Sequence, residues 1–175
     1  CYADFTMPSA PAECQTTIIN SIYYAVDNPE RPKSHDLGTA AQVGKTPPAN
    51  SLLMIQGPLA LDWSNRKWGL LPRIENGDLT GNRPPTLARL QLWKQASVCV
   101  AGREDWLFIK LHTHGAQEAN SAMLLGQPMR HFHESLRAHF QDNSNFQYYY
   151  VTAYEMASLV RQAEQGLTTP NWDAL

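Results

Sequence analysis

Residues 106–115 read WLFIKLHTHG and largely determine the fold that we expect. The first part of this segment is a mostly apolar run of strand length, which is typical of a strand buried on both faces. The run ends at His112 and His114. Strands are also predicted at residues 51–55, which are continuously apolar, and at residues 146–151, which are rich in aromatic side chains.

Helical patterns alternate with these strands. Residues 84–96 begin with Pro-Pro-Thr and carry apolar residues at helical spacing. Further helices are predicted at residues 119–125, 128–140 and 154–165, the last of them ending at Gly166. Strands that alternate with helices predict an α/β fold with mostly parallel strands.

The N-terminal part is less regular. Residues 2–6 predict a short strand, residues 16–26 are ambiguous between strand and helix, and residues 28–50 hold several prolines and glycines and predict a long irregular segment. Because the chain opens at Cys1 beside an apparent strand, we expect a fragment or a processed product. A complete domain released from a tag is the alternative.

Composition excludes several classes of protein. The 175 residues (19.7 kDa) predict one domain, and a formal charge of −2 without a basic stripe argues against nucleic-acid binding. No apolar run approaches the ~20 residues that span a bilayer. The three cysteines are too few and scattered for a disulfide scaffold, which favours reduced thiols in the cytoplasm. Dinucleotide, P-loop, serine-hydrolase and HExxH motifs are absent from the sequence.

His112 and His114 are the strongest candidates for chemistry. They follow a predicted buried strand, where parallel α/β folds place their active sites. Residues two apart in an extended chain point to the same side, so both imidazoles are expected to face one cavity. They would act there as general acids or bases or as metal ligands. The alternative is one exposed loop histidine and one structural histidine.

The segment RIENGD, residues 73–78, supplies candidate substrate-binding residues. Arg73, Glu75 and Asp78 surround a glycine turn. Carboxylates beside an arginine suit substrate hydroxyls or a tuned acid–base pair. A solvated loop is the alternative.

Tryptophans supply a second set of binding candidates. Trp63 and Trp68 lie in the polar segment formed by residues 62–69. Exposed aromatic rings beside hydrogen-bonding groups could stack against sugar rings, and Trp68 is our substrate-binding candidate here. Packing in the core is the alternative and the commoner use of tryptophan.

The order of these motifs resembles the closing half of the NodB-like polysaccharide deacetylases, a family with a distorted (β/α) barrel. In that family a strand ending in Leu-His supplies a catalytic histidine, which Leu111-His112 matches. An aromatic-Val-Thr segment forms the last strand, which residues 150–152 match. Thr113 stands where the family commonly has Asp, and His114 is a departure.

The resemblance weakens at the start of the chain. Residues 2–8 lie where the family usually has an Arg-x-Pro motif; Pro8 fits, but the arginine is missing. We take Asp4 in this segment as a further substrate-binding candidate. The Asp pair and the His-x-x-x-His motif that supply the family's metal ligands are also missing. The resemblance therefore implies that residues 1–175 are the C-terminal portion of such a barrel.

The resemblance implies metal-dependent hydrolysis of N-acetyl groups on a sugar or polysaccharide, in bacterial O-antigen or capsule biosynthesis in the cytoplasm. His112 would protonate the leaving amine, while His114, Arg73 and Glu75 would orient the sugar or its neighbours. The divalent metal, zinc or similar, would be held by residues upstream of this chain. The residues 1–175 alone would then be inactive.

Two other functions stay open. One is a non-catalytic carbohydrate-binding or degenerate deacetylase-like domain that uses the tryptophans. The other is a different metal hydrolase, in which His112 and His114 are themselves the metal ligands.

Overall fold

The structure is a computed structural model that describes residues 18–26, 30, 37–114, 117–141 and 145–175. This part of the chain forms two antiparallel sheets and four α-helices. The strands are β1 (Ile22–Ala25), β2 (Gly38–Ala40), β3 (Leu52–Ile55), β4 (Ala60–Lys67) and β5 (Leu71–Glu75). The helices are α1 (Leu87–Gln95), α2 (Glu118–Leu125), α3 (Gln127–Gln141) and α4 (Ala153–Glu164), and a short 3-10 helix covers Trp172–Ala174.

β1 is the centre of the three-stranded sheet and pairs in antiparallel register with both β2 and β3. Alternate side chains point to opposite faces of such a sheet. Ile22 and Tyr24 therefore pack on one side, in a core that includes Leu159 and Val160 of α4, while Tyr23 packs on the other side. The strand predicted at residues 51–55 is confirmed as β3.

β4 and β5 form a separate hairpin. Most of its side chains are exposed, and Glu75 at the end of β5 is buried. The chain then turns at Gly77 towards α1, so the hairpin leads directly into the loop that carries Asp78.

The four predicted helices are confirmed within a few residues. Thr86 caps α1 by accepting a hydrogen bond from the Arg89 backbone, and Thr152 forms a capping box with Glu155 at the start of α4. Past the end of α4, Gly166 has φ +83°, which glycine adopts readily. No described helix is long and apolar enough to cross a membrane.

The predicted mostly parallel fold, part of a NodB-like (β/α) barrel, is wrong. Both sheets are antiparallel, and the described residues form no parallel-strand barrel. Parallel pairing in this part of the chain is limited to two isolated bridges, between Gln42 and Ala101 and between Asp78 and His112.

The predicted strand at residues 106–111 is also wrong, because the segment joins neither sheet. Phe108 packs into the core around β1, β3 and α4, whereas Ile109 and Leu111 pack on a second core formed with α1 and α3. A segment that lies between two cores is apolar on both sides without joining a sheet. Its apolar pattern therefore imitated that of a buried strand.

Residues 146–151 form no strand in the described structure. Tyr148 lies 5.5 Å from Phe140 of α3, and Tyr150 lies 5.1 Å from His133 of α3, between ring centroids. These aromatic side chains are exposed and pack against the side of a helix. These aromatic residues, which are common in strands, thus pack against α3 instead of against a neighbouring strand.

Candidate metal centre

Two extended segments bring Asp78 and His112 side by side. The Leu79 backbone N–H donates to the His112 carbonyl at 2.8 Å, and the His112 N–H donates to the Gly77 carbonyl at 3.1 Å. This parallel bridge places Asp78 opposite His112. The Asp78 Oδ1 atom lies 3.9 Å from His112 Nε2, and about a fifth of each side chain is exposed.

His114 completes the group from the same segment as His112. The two imidazole centroids are 6.0 Å apart, and the ring planes are nearly perpendicular. Asn120 of α2 holds this segment in place: its Nδ2 donates to the His114 carbonyl at 2.8 Å, and its Oδ1 accepts from the Gly81 N–H at 3.0 Å. Through these two hydrogen bonds, the buried side chain of Asn120 connects the His114 backbone to the loop after Asp78.

One ligand atom from each of Asp78, His112 and His114 lies within 4.8 Å of the other two. Asp78 Oδ1 is buried and has no hydrogen-bond partner among the described residues. A buried carboxylate oxygen without a donor is costly unless a cation or a donor approaches it. His114 is exposed, so the group opens to solvent on that side. Two imidazoles and one carboxylate form a donor set suited to zinc.

Glu75 organises the loop beneath this group. Its carboxylate accepts hydrogen bonds from Arg89 Nε and Nη2, both at 2.8 Å, from Trp93 Nε1 at 2.9 Å and from the Gly77 N–H at 2.9 Å. Arg83 Nη2 adds a contact at 3.2 Å. Arg89 Nη2 also donates to the Asp78 carbonyl at 2.6 Å. The ion pair of Glu75 with Arg89 thus fixes the backbone that carries Asp78.

The electrostatics of Glu75 follow from these contacts. Burial alone raises the pKa of its carboxyl, but the hydrogen bonds from Arg89, Trp93 and Gly77 lower it further than burial raises it. The net pKa lies below its usual range, so Glu75 is a carboxylate at neutral pH. Since donors of the protein itself occupy both oxygens, we assign Glu75 a positioning role.

The other predicted binding residues lie outside the Asp78–His112–His114 group. Arg73 is exposed on β5, where its Nε donates to Asn65 Oδ1 at 3.0 Å. Trp68 lies in the turn of the hairpin and is exposed. Asp4 is outside the described residues, and its predicted role stays a prediction.

Sequence reasoning named Asp78 as a substrate-binding residue and did not connect it with the histidines. It also missed Arg89, Trp93 and Asn120, which hold the site in place. Arg89 and Trp93 were hidden in an ordinary helical pattern. The one local signal was the turn sequence Asn76-Gly77, which marks where the chain bends before Asp78.

No family model, curated protein or solved structure matches this chain.

Proposed function

We propose that Asp78, His112 and His114 hold one divalent metal ion and that the chain is a metal-dependent hydrolase. The observation that carries the proposal is the approach of three ligand atoms, from two distant parts of the sequence, to within 4.8 Å of one another. This proposal takes up the alternative from the sequence in which His112 and His114 are themselves the metal ligands.

Zinc is the cation that suits this donor set best. Catalytic zinc sites commonly use three protein ligands of nitrogen and oxygen type and keep a fourth position open. The exposure of His114 would leave such a position facing solvent. A divalent cation there would supply Lewis-acid chemistry to a carbonyl or to water.

The chain's own residues have separate roles in this proposal. His112 and Asp78 would bind the cation from the two bridged segments, and His114 would bind it from the solvent side. Asn120 and the Glu75–Arg89 pair would keep the two segments at their present spacing. The His112 Nε2 atom faces Asp78. A His112 that binds the cation through this atom would not also donate a proton to the leaving group.

N-acetylated sugars remain the substrate class that we propose. An amide carbonyl is an oxygen ligand that a Lewis acid polarises, so removal of an N-acetyl group fits the same site. Bacterial surface polysaccharide biosynthesis and a cytoplasmic location stay predictions.

The test is acetate release from an N-acetylated chito-oligosaccharide by the zinc-loaded chain. We expect hydrolysis that a chelator abolishes and that added zinc restores. Asp78→Asn, His112→Ala and His114→Ala should each reduce the rate by roughly 100-fold or more, because each removes a ligand. His131→Ala, at an exposed histidine of α3, is the control and should retain the wild-type rate.

Two results would contradict the proposal. Hydrolysis that survives the ligand substitutions would place the chemistry elsewhere. Zinc binding without hydrolysis of N-acetylated or other amide and ester substrates would show that the chain is a metal-binding domain and not a hydrolase.

Non-catalytic carbohydrate binding is the second candidate, and the exposure of Trp63 and Trp68 on one hairpin favours it. A sugar stacked on these rings would change their fluorescence. Trp68→Ala should then weaken the binding of soluble oligosaccharide while leaving any metal binding at Asp78 intact.

A further inference from the structure

The β4–β5 hairpin presents a cluster of large apolar side chains to solvent. Trp68 and Leu70 at its turn are 76% and 77% exposed. Large apolar side chains exposed next to each other, as Trp68 and Leu70 are in this turn, mark a site of interaction. Four further apolar residues of the hairpin are exposed: Leu61, Trp63, Leu71 and Ile74.

The turn itself displays Trp68 in an unfavourable conformation. Trp68 has φ +52° and Gly69 has φ +73°, and the Leu70 N–H donates to the Lys67 carbonyl at 3.2 Å. Asn and Gly normally fill such left-handed turn positions, and a bulky aromatic residue there is strained. Residues held in such conformations cluster at functional sites. Here the conformation places an indole ring at the tip of the hairpin.

Basic residues flank the apolar side chains. Arg66, Lys67 and Arg73 are exposed on the hairpin, in a chain whose formal charge is −2. The Lys67 Nζ atom lies 4.3 Å from the centroid of the Trp68 ring. Asp62 is the only acidic residue of the two strands besides the buried Glu75, and its Oδ1 accepts hydrogen bonds from Ser64.

We propose that this hairpin docks, turn first, on a bilayer surface rich in anionic lipid. Tryptophan, leucine and cationic side chains on one element match the layers of such a surface: apolar groups enter the acyl boundary while cations contact phosphate and carboxylate headgroups. The proposal uses no residue of the metal centre, so it is independent of the proposed hydrolase activity.

The aliphatic residues favour lipid over sugar. Sugar rings stack on aromatic faces, but they require hydrogen-bonding partners for their hydroxyls. Leu70 and Leu71 supply none, and their transfer from water is favourable only into an apolar medium. The lipid surface is also the partner that uses the three cations together.

The test is co-sedimentation of the full chain with vesicles of phosphatidylcholine alone and of phosphatidylcholine with phosphatidylserine. We expect sedimentation with the anionic vesicles, weakened by salt and accompanied by a blue shift of tryptophan fluorescence. Trp68→Ala and Leu70→Ser should each reduce partitioning by about tenfold, and Lys67→Glu by about fivefold or more. Tyr154→Ala is the matched control, since Tyr154 is exposed on α4, away from the hairpin.

Three results would overturn the proposal. The first is that the protein binds anionic and neutral vesicles equally well. The second is that wild-type protein and Trp68→Ala bind anionic vesicles equally well while the circular dichroism of the variant is unchanged. The third is binding of soluble oligosaccharide, or self-association, that Trp68→Ala abolishes while vesicles are not bound. In that case the hairpin is a sugar-binding surface or an interface between copies of the chain.

Discussion

Glu75 connects the hairpin, α1 and the loop that carries Asp78 through one buried carboxylate. It ends β5, receives two hydrogen bonds from Arg89 and one from Trp93, and accepts the N–H of Gly77. Removing one partner of a buried ion pair is strongly destabilising, because the other charge stays buried. The stability of the Asp78 loop therefore depends on the charge of Glu75.

Glu75→Gln should lower the free energy of unfolding at neutral pH by about 3–5 kcal/mol. The folded-state pKa of Glu75 lies below its usual range. Its ionisation therefore stabilises the fold above the unfolded-state pKa of about 4.3, and this contribution is lost as the pH falls through the folded value. The difference between wild type and Glu75→Gln should accordingly shrink in acid.

Urea unfolding at neutral and at acid pH measures this difference. Glu134→Gln, at an exposed residue of α3, is the isosteric control and should change stability little. A Glu75→Gln effect that is equally large on both sides of the acid transition would show that the ion pair is not the source of the stability.

At the scale of single residues, part of the candidate site could be predicted from the sequence. Spacing alone predicted that His112 and His114 share a side, because alternate residues of an extended chain do so. Their approach to Asp78 was beyond sequence reasoning, since it depends on a bridge between segments that are distant in the chain.

Gly77 controls how two elements of the site approach each other. Its φ is +74°, and a Cβ added there would lie 3.1 Å from Pro58 Cδ and 3.3 Å from the Lys110 carbonyl oxygen. Both neighbours must shift to accommodate a methyl group. The backbone of Lys110 leads to His112, so that shift would separate the bridged segments.

Gly77→Ala should therefore reduce both stability and metal affinity. Gly44→Ala is a matched control, because Gly44 has the same φ of +74° and nothing within 4 Å of an added Cβ. The control should lose only about 1–2 kcal/mol from the left-handed backbone. Gly77→Ala should lose more, as measured by thermal unfolding, and should bind zinc at least about tenfold more weakly. Equal losses in the two variants would contradict the close approach at Gly77.

The helices were predictable from the sequence, whereas among the strands only the one at residues 51–55 was predicted correctly. Helix boundaries follow local signals, such as the Thr86 cap and the Gly166 stop. Strand assignments depended on apolar and aromatic runs at residues 106–111 and 146–151. Neither run has a strand partner here, because one lies between two cores and the other packs on α3.

The described part of the molecule has three apolar clusters, and the polar site lies beside the one built on α1 and α3. Leu79 and Leu111, which flank the bridged residues Asp78 and His112, both pack on the core of α1 and α3. These contacts anchor the two segments on one surface, so the ligand atoms come together without a parallel sheet. The fold therefore differs from the predicted barrel, although one ligand atom of each histidine lies within 4.8 Å of the other.

Cobalt(II) and zinc titration of the chain, prepared without a polyhistidine tag, tests the proposed metal centre most directly. We predict one ion per chain, a cobalt absorption spectrum of tetrahedral type, and release of cobalt by zinc. Asp78→Asn should abolish stoichiometric binding, whereas His131→Ala should not change it. Binding that Asp78→Asn leaves intact, or no stoichiometric binding by the wild-type chain, would contradict a metal centre at Asp78, His112 and His114.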